Sequence, residues 1–277
     1  MRPPLIVSIT TLPSRLGLIR PTLESLLDGD TKPGAIRLIL PDKPLRGSDV
    51  FVIPDFLGDP DFLQGIIEVV RVERDWGPGT KLLGGLRTIT QPSVLVIADD
   101  DVRYRRDFLT GLYDAQSADR GASFSYHVWP LGGIDKAQGV DGISNWTPNL
   151  AGIEQYFASY VDGTDLMFDD DLWISFFLAA HGIPVRSLDH QLSGSLIYEP
   201  VHAVGALVHL QGNLARTHLE RWGLRSLMQR VAMPAARHRA IRARGVRRAL
   251  LGAPRRLWSE GRLALGRARR RLRRTGL

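Results

Sequence analysis

Four short apolar runs punctuate the first hundred residues: Leu5–Thr11 (LIVSITT), Ile36–Leu40 (IRLIL), Ile66–Val72 (IIEVVRV) and Val94–Ala98. Helix-like segments lie between them. Pro21–Leu27 reads as a helix with Pro21 in its first turn, where a missing N–H costs nothing. ERDWGPGTKLLGGLRTI reads as a loop feeding a helix, with Gly79 and Thr80 near its start. Unbroken apolar strands alternating with helices call for a sheet covered on both faces. That predicts an α/β fold with a mostly parallel central sheet flanked by helices.

In such a sheet, ligands bind beyond the carboxyl ends of the strands. Thr10, Thr11 and Arg15 follow the first strand, and Asp99, Asp100 and Asp101 follow the fourth. Adjacent carboxylates repel, so folding alone gives no reward for SVLVIADDDVRY. In an extended chain, residues i and i+2 point the same way. Asp99 and Asp101 are therefore expected to converge while Asp100 turns aside. Paired carboxylates suit a hard divalent cation, Mg²⁺ or Mn²⁺.

Composition removes several classes. The 277 residues suffice for one large domain, and 44% hydrophobic with 23% charged content is ordinary for a globular chain. The absence of cysteine excludes a disulfide framework, a thiolate metal site and a cysteine nucleophile. No run approaches the roughly 20 apolar residues that span a bilayer. MRPPLIVSITTLPSR lacks the apolar core of a signal peptide. A cytoplasmic chain is expected.

Charge divides the sequence. Residues 234–277 hold fifteen arginines and one acid, Glu260, for a net +14, which leaves residues 1–233 at −7 within the total of +7. The expected organisation is a domain over 1–233 and an arginine-rich, helical or disordered extension over 234–277. Leu250, Leu257, Leu265 and Leu272 recur among the arginines, with Trp258 nearby. This pattern points to an anionic membrane surface, on its inner face, as the partner of the tail. A body at −7 argues against nucleic acid.

The ordered set VSITTLPSR, DWGPGTKLLGGL, strand and DDD resembles the nucleotide-sugar-dependent glycosyltransferases of the GT-A fold, of the family 2-like bacterial type. The likeness runs over roughly residues 4–190. It implies an Asp-x-Asp motif met by Asp99-Asp100-Asp101. Asp99 would lie on the nucleotide side, with Asp100 beside it, and Asp101 would join Asp99 on the metal that bridges the diphosphate. Thr10, Thr11, Arg15 and Lys81 are the further candidates for nucleotide or phosphate contact. Some GT-A enzymes take a third metal ligand from a late histidine, here His209 in ALVHLQGN.

A second acidic triplet, Asp169-Asp170-Asp171, opens an apolar helix expected over Leu172–Ala180 and ending at HG before a proline. One aspartate would cap the helix, so three suggest a second duty. The resemblance implies that a carboxylate here is the base of an inverting enzyme, with Asp170 the first candidate and Asp171 the second. Trp129, Trp146 and Trp173 are possible sugar-stacking faces. Trp146 stands first among them, because SNWTPN reads as loop. The chain is thus expected to move a sugar from a nucleoside-diphosphate sugar to a glycan or lipid-linked acceptor, in envelope or surface polysaccharide synthesis. A catalytically silent, membrane-associated scaffold of the same fold is one alternative. A sugar-phosphate nucleotidylyltransferase is another, weakened because TTLPSR carries no glycine.

Overall fold

The computed structural model describes residues 2–46, 50–188, 198–201 and 213–249. The four apolar runs form β1 (Leu5–Thr10), β2 (Ala35–Pro41), β3 (Ile67–Val72) and β4 (Val94–Ile97). Between them come α1 (Arg20–Leu27), α2 (Pro60–Leu63) and α3 (Thr80–Leu86). β5 (Val102–Tyr104), α4 (Phe108–Ala118), β6 (Ser123–Ser125), β7 (Val128–Leu131), β8 (Ile134–Ala137), β9 (Ile143–Trp146) and α5 (Ile153–Tyr160) follow. Then come α6 (Asp170–His181), β10 (Val185–Ser187), β11 (Tyr198–Pro200), α7 (Asn213–Arg230) and a helix over 235–249, here α8.

The main sheet runs β10-β6-β9-β4-β1-β2-β3. β1 pairs in parallel with β2 and β4, and β2 with β3. β9 runs antiparallel between β4 and β6. The expected α/β architecture with a mostly parallel sheet is present. Strand alternation divides the core into two layers. Val94, Val96 and Ala98 face α1 and α4, whereas Leu95 and Ile97 face α3, α5 and α6.

Small residues let α3 lie close to the sheet. A Cβ on Gly84 would fall 2.5 Å from Ile39 Cγ2, and one on Gly85 would overlap the Ser8 hydroxyl. The Ser8 hydroxyl instead donates to the Lys81 carbonyl at 2.5 Å. This contact fixes the turn of α3 that carries Lys81.

The strands between residues 120 and 165 are three or four residues long, and their buried positions are partly polar. Asn145 Oδ1 accepts from the Ser123 hydroxyl at 2.6 Å, and the Ser144 hydroxyl donates to Gln116 Oε1 at 3.2 Å. Trp146 is a strand residue of β9, not a loop residue. It pairs with Val94 at the start of β4, away from the aspartates, under the Arg120 guanidinium. Trp173 is core: fully buried, it packs edge-on against Phe157.

The arginine-rich extension expected from residue 234 begins with α8, which docks on the body. Ile241 is buried, and Arg248 Nη1 donates to the Ile134 carbonyl at 2.7 Å. Arg244 and Arg248 both pair with Asp135. The β7–β8 turn admits the helix because Gly133 has no side chain; a Cβ there would overlap the Ile241 carbonyl oxygen. Gly133→Ala is expected to cost about 1–3 kcal/mol and to expose the arginines of α8 to trypsin sooner than in the parent chain. Unchanged cleavage would mean that α8 is not held at this turn. Leu250, Leu257, Trp258, Leu265 and Leu272 lie outside the described residues.

Candidate active site

β4 ends at Ile97, and one further ladder bond joins the Ala98 N–H to the Ser8 carbonyl. The chain then bends through Asp99-Asp100-Asp101 and leaves the main sheet as β5, which pairs with β11. Extended geometry has already ended here, so the expected i, i+2 alternation is not kept. Asp99 turns to Lys81, with Nζ to Oδ1 at 2.5 Å. Asp100 and Asp101 share Arg15 Nη2, at 2.8 and 2.5 Å. Asp100 therefore does not turn aside. Its other oxygen accepts from the Thr11 hydroxyl, and its carbonyl accepts from Thr22 Oγ1 at 3.0 Å. The Thr10 hydroxyl is spent on the Ile39 carbonyl, 2.8 Å away.

Asp169 caps α6, accepting from the Leu172 N–H at 3.2 Å, so the capping expectation holds for the first of the three. Asp170 is buried, and its Oδ2 lies 3.1 Å from Lys81 Nζ. Asp171 is half-buried and accepts from the Gly139 N–H at 2.7 Å. One buried ammonium thus joins an acidic bend at the end of β4 to an acidic helix start seventy residues later. The chain brings together Thr11, Arg15, Lys81, Asp99, Asp100, Asp101, Asp170 and Asp171. His209 lies outside the described residues.

Sequence reasoning missed Lys136. It is buried, with Nζ 2.9 Å from Asp169 Oδ1 and 2.8 Å from Glu220 Oε1 of α7. A signal was available. Of the four lysines, Lys32 and Lys43 are exposed while Lys81 and Lys136 are buried. Scarcity of lysine marks Lys136 as much as Lys81. Tyr104 was also missed; its hydroxyl accepts from the Asp99 N–H at 2.8 Å. No short motif marks either residue.

The electrostatics follow from crowding. Burial would strip Lys81 of its proton, but Asp170, then Asp99 and Asp171, outweigh it and raise its pKa. Burial, opposed by Arg15 and the Thr11 hydrogen bond, lifts the Asp100 carboxyl to about 6. Burial and the nearby Asp170 push Asp171 to about 8, against the pull of Lys136 and Lys81. Asp170 is raised as well, by burial first and against Lys81.

Six aspartates face three buried cations, Arg15, Lys81 and Lys136. The donor set fits a divalent cation: Asp99 and Asp101 are hard oxygen donors with partly exposed side chains. Among the described residues, no group of three or more His, Cys, Asp or Glu side chains is placed to hold a metal ion by itself. Phosphate oxygens and water would have to complete the shell.

The architecture has solved counterparts. The mannosyltransferase PcManGT from Pyrobaculum calidifontis, solved in complex with GDP-Man and Mn²⁺, superposes with a TM-score of 0.54 at 15% identity, over 96% of this chain and 81% of that one. TarS residues 1–349 from S. aureus gives a TM-score of 0.50 at 11% identity, over 88% and 70%. The fold is that of the nucleotide-sugar glycosyltransferases. The sequence resemblance to that fold is thereby borne out, although no family model and no curated protein matches the sequence. The acidic bend follows the carboxyl end of β4, and Lys81 brings the start of α6 to it.

Proposed function

We propose that this chain is a nucleotide-sugar-dependent glycosyltransferase that works with a divalent cation. The observation that carries the reading is the junction of the two acidic clusters through Lys81. Beyond the end of β4, Asp101 and Asp99 would hold Mn²⁺ or Mg²⁺. When bound, the cation supplies neutralisation of the leaving nucleoside diphosphate. A neighbour of the same fold solved with GDP-Man and Mn²⁺ supports that assignment. Asp100, itself held by Thr11, pairs with Arg15, and Lys81 holds Asp99 and Asp170 close together.

The base is Asp171 rather than Asp170. Asp170 is buried and already paired with Lys81, whereas Asp171 is half-buried and can meet a substrate. The acceptor oxygen attacks the anomeric carbon, the bond to the diphosphate breaks with its electron pair, and the acceptor proton passes to Asp171. This is an inverting displacement onto a glycan or lipid-linked hydroxyl, in surface polysaccharide synthesis. Exposed Arg239, Arg242 and Arg247 on α8 offer a basic face to an anionic membrane surface. No described helix is long and apolar enough to cross a membrane.

Calorimetric titration of the full chain with UDP and with GDP, with and without Mn²⁺, tests the donor site. One nucleotide is expected to bind at least tenfold tighter with Mn²⁺, and Asp101→Ala is expected to erase that gain. Metal-independent binding of both nucleotides, or none at all, would remove the donor assignment.

A further inference from the structure

The hairpin β7–β8 carries an exposed aromatic side chain outside the two acidic clusters. Trp129 is 54% exposed, although most large apolar side chains of the domain are buried. An indole left in water forgoes the largest burial gain available to a side chain. Its register shows where it points. Trp129 stands directly opposite Lys136 in the antiparallel pair. Directly opposed residues project from the same face of a hairpin. Lys136 reaches from that face to Asp169 at the start of α6. The indole therefore lies on the face that looks toward the α6 acids.

Two further contacts fix this surface. His127 lies two residues before Trp129, and its ring is nearly parallel to the indole, 16° between planes and 6.0 Å between centroids. Its Nδ1 sits 3.2 Å from Asp141 Oδ1, a carboxylate that is 1% exposed. The segment between β8 and Asp141 passes Gly139, whose N–H holds Asp171. One stretch of chain, 127–141, thus bears the aromatic pair at one end and touches the base at the other.

We infer that Trp129, backed by His127, is an acceptor subsite on which a pyranose ring stacks, so that the acceptor is a glycoside and not a simple alcohol. A pyranose has a C–H face that matches an indole and a hydroxyl rim that can meet the neighbouring polar groups. Few convergent polar groups around an aromatic platform is the usual composition of a small-ligand site. This inference rests on the glycosyltransfer reading and names its acceptor class.

The experiment is saturation-transfer-difference NMR on the full chain with the α- and β-methyl glycosides of glucose, galactose and mannose, and with disaccharides of each. At least one glycoside is expected to receive saturation on the ring protons of one face. Trp129→Ala should weaken its binding roughly tenfold, the fold-change that one aromatic stacking contact supports. Trp129→Phe should keep most of the binding. With that glycoside as acceptor, Trp129→Ala should raise KM about tenfold and leave kcat nearly unchanged. Nucleotide titration with Mn²⁺ should match the parent in both variants, which checks the fold and the donor side separately.

Glycoside signals that are equal in the parent and Trp129→Ala would overturn the subsite. So would the absence of signal from every glycoside in the panel. If glycosides bind through Trp129 while no nucleoside diphosphate binds, the subsite stands and the glycosyltransferase reading falls.

Discussion

Asp171→Asn is expected to lower sugar transfer roughly a thousandfold while nucleotide binding with Mn²⁺ stays near the parent value. Removing a positioned base costs about 10²–10⁴ in rate. Asparagine keeps the shape of the side chain and can still accept the Gly139 N–H, so the start of α6 should hold. The parent chain should also show the base in its pH profile. Burial and Asp170 raise the Asp171 pKa to about 8. The active form of a base is ionised, and at pH 7 only about a tenth of such a group is ionised. kcat/KM should therefore climb close to tenfold per unit below pH 8 and level off above it. Asp171→Asn should flatten that limb. A parent profile that is flat from pH 6 to 9, or a variant with more than a tenth of parental transfer, would move the base elsewhere. Asp170 would be tested next.

Lys81→Met should destabilise the domain by about 3–5 kcal/mol, the usual cost of leaving buried charge unpaired. Methionine fills a similar volume, so the loss is electrostatic rather than a cavity. The ammonium lies 2.5 Å from Asp99 Oδ1 and 3.1 Å from Asp170 Oδ2, and the Asp170 side chain is buried with it. In thermal denaturation the shift should be on the order of 10 °C for a domain of this size. The double variant Lys81→Met/Asp170→Asn should recover part of the loss, because it removes one of the stranded charges. A single-variant cost below 1 kcal/mol would show that Lys81 does not carry the charge balance between the clusters.

The contrast between Lys81 and Trp146 shows where reading a sequence succeeds. Lys81, a candidate for phosphate contact from the sequence, joins both acidic clusters. Its expected partners were phosphates, whereas its partners in the fold are carboxylates. Trp146 was expected in a loop because proline and asparagine surround it, but it is the last residue of β9. A strand of four residues has too short a period to be seen against turn residues on either side. Pairing with β4 overrides local propensity there.

By itself the sequence determined the alternating strands and helices, the two acidic triplets and the start and stop of α6. These are local signals: unbroken apolar runs, a proline in a first turn, an aspartate cap and a glycine after the last helical residue. Tertiary structure decided which charges meet. That Lys81 joins Asp99 to Asp170, that Arg15 takes both Asp100 and Asp101, and that Lys136 ties α6 to α7 are contacts across 18 to 89 residues of chain. Their geometry is set by sheet order and helix packing, and no spacing along the chain encodes it.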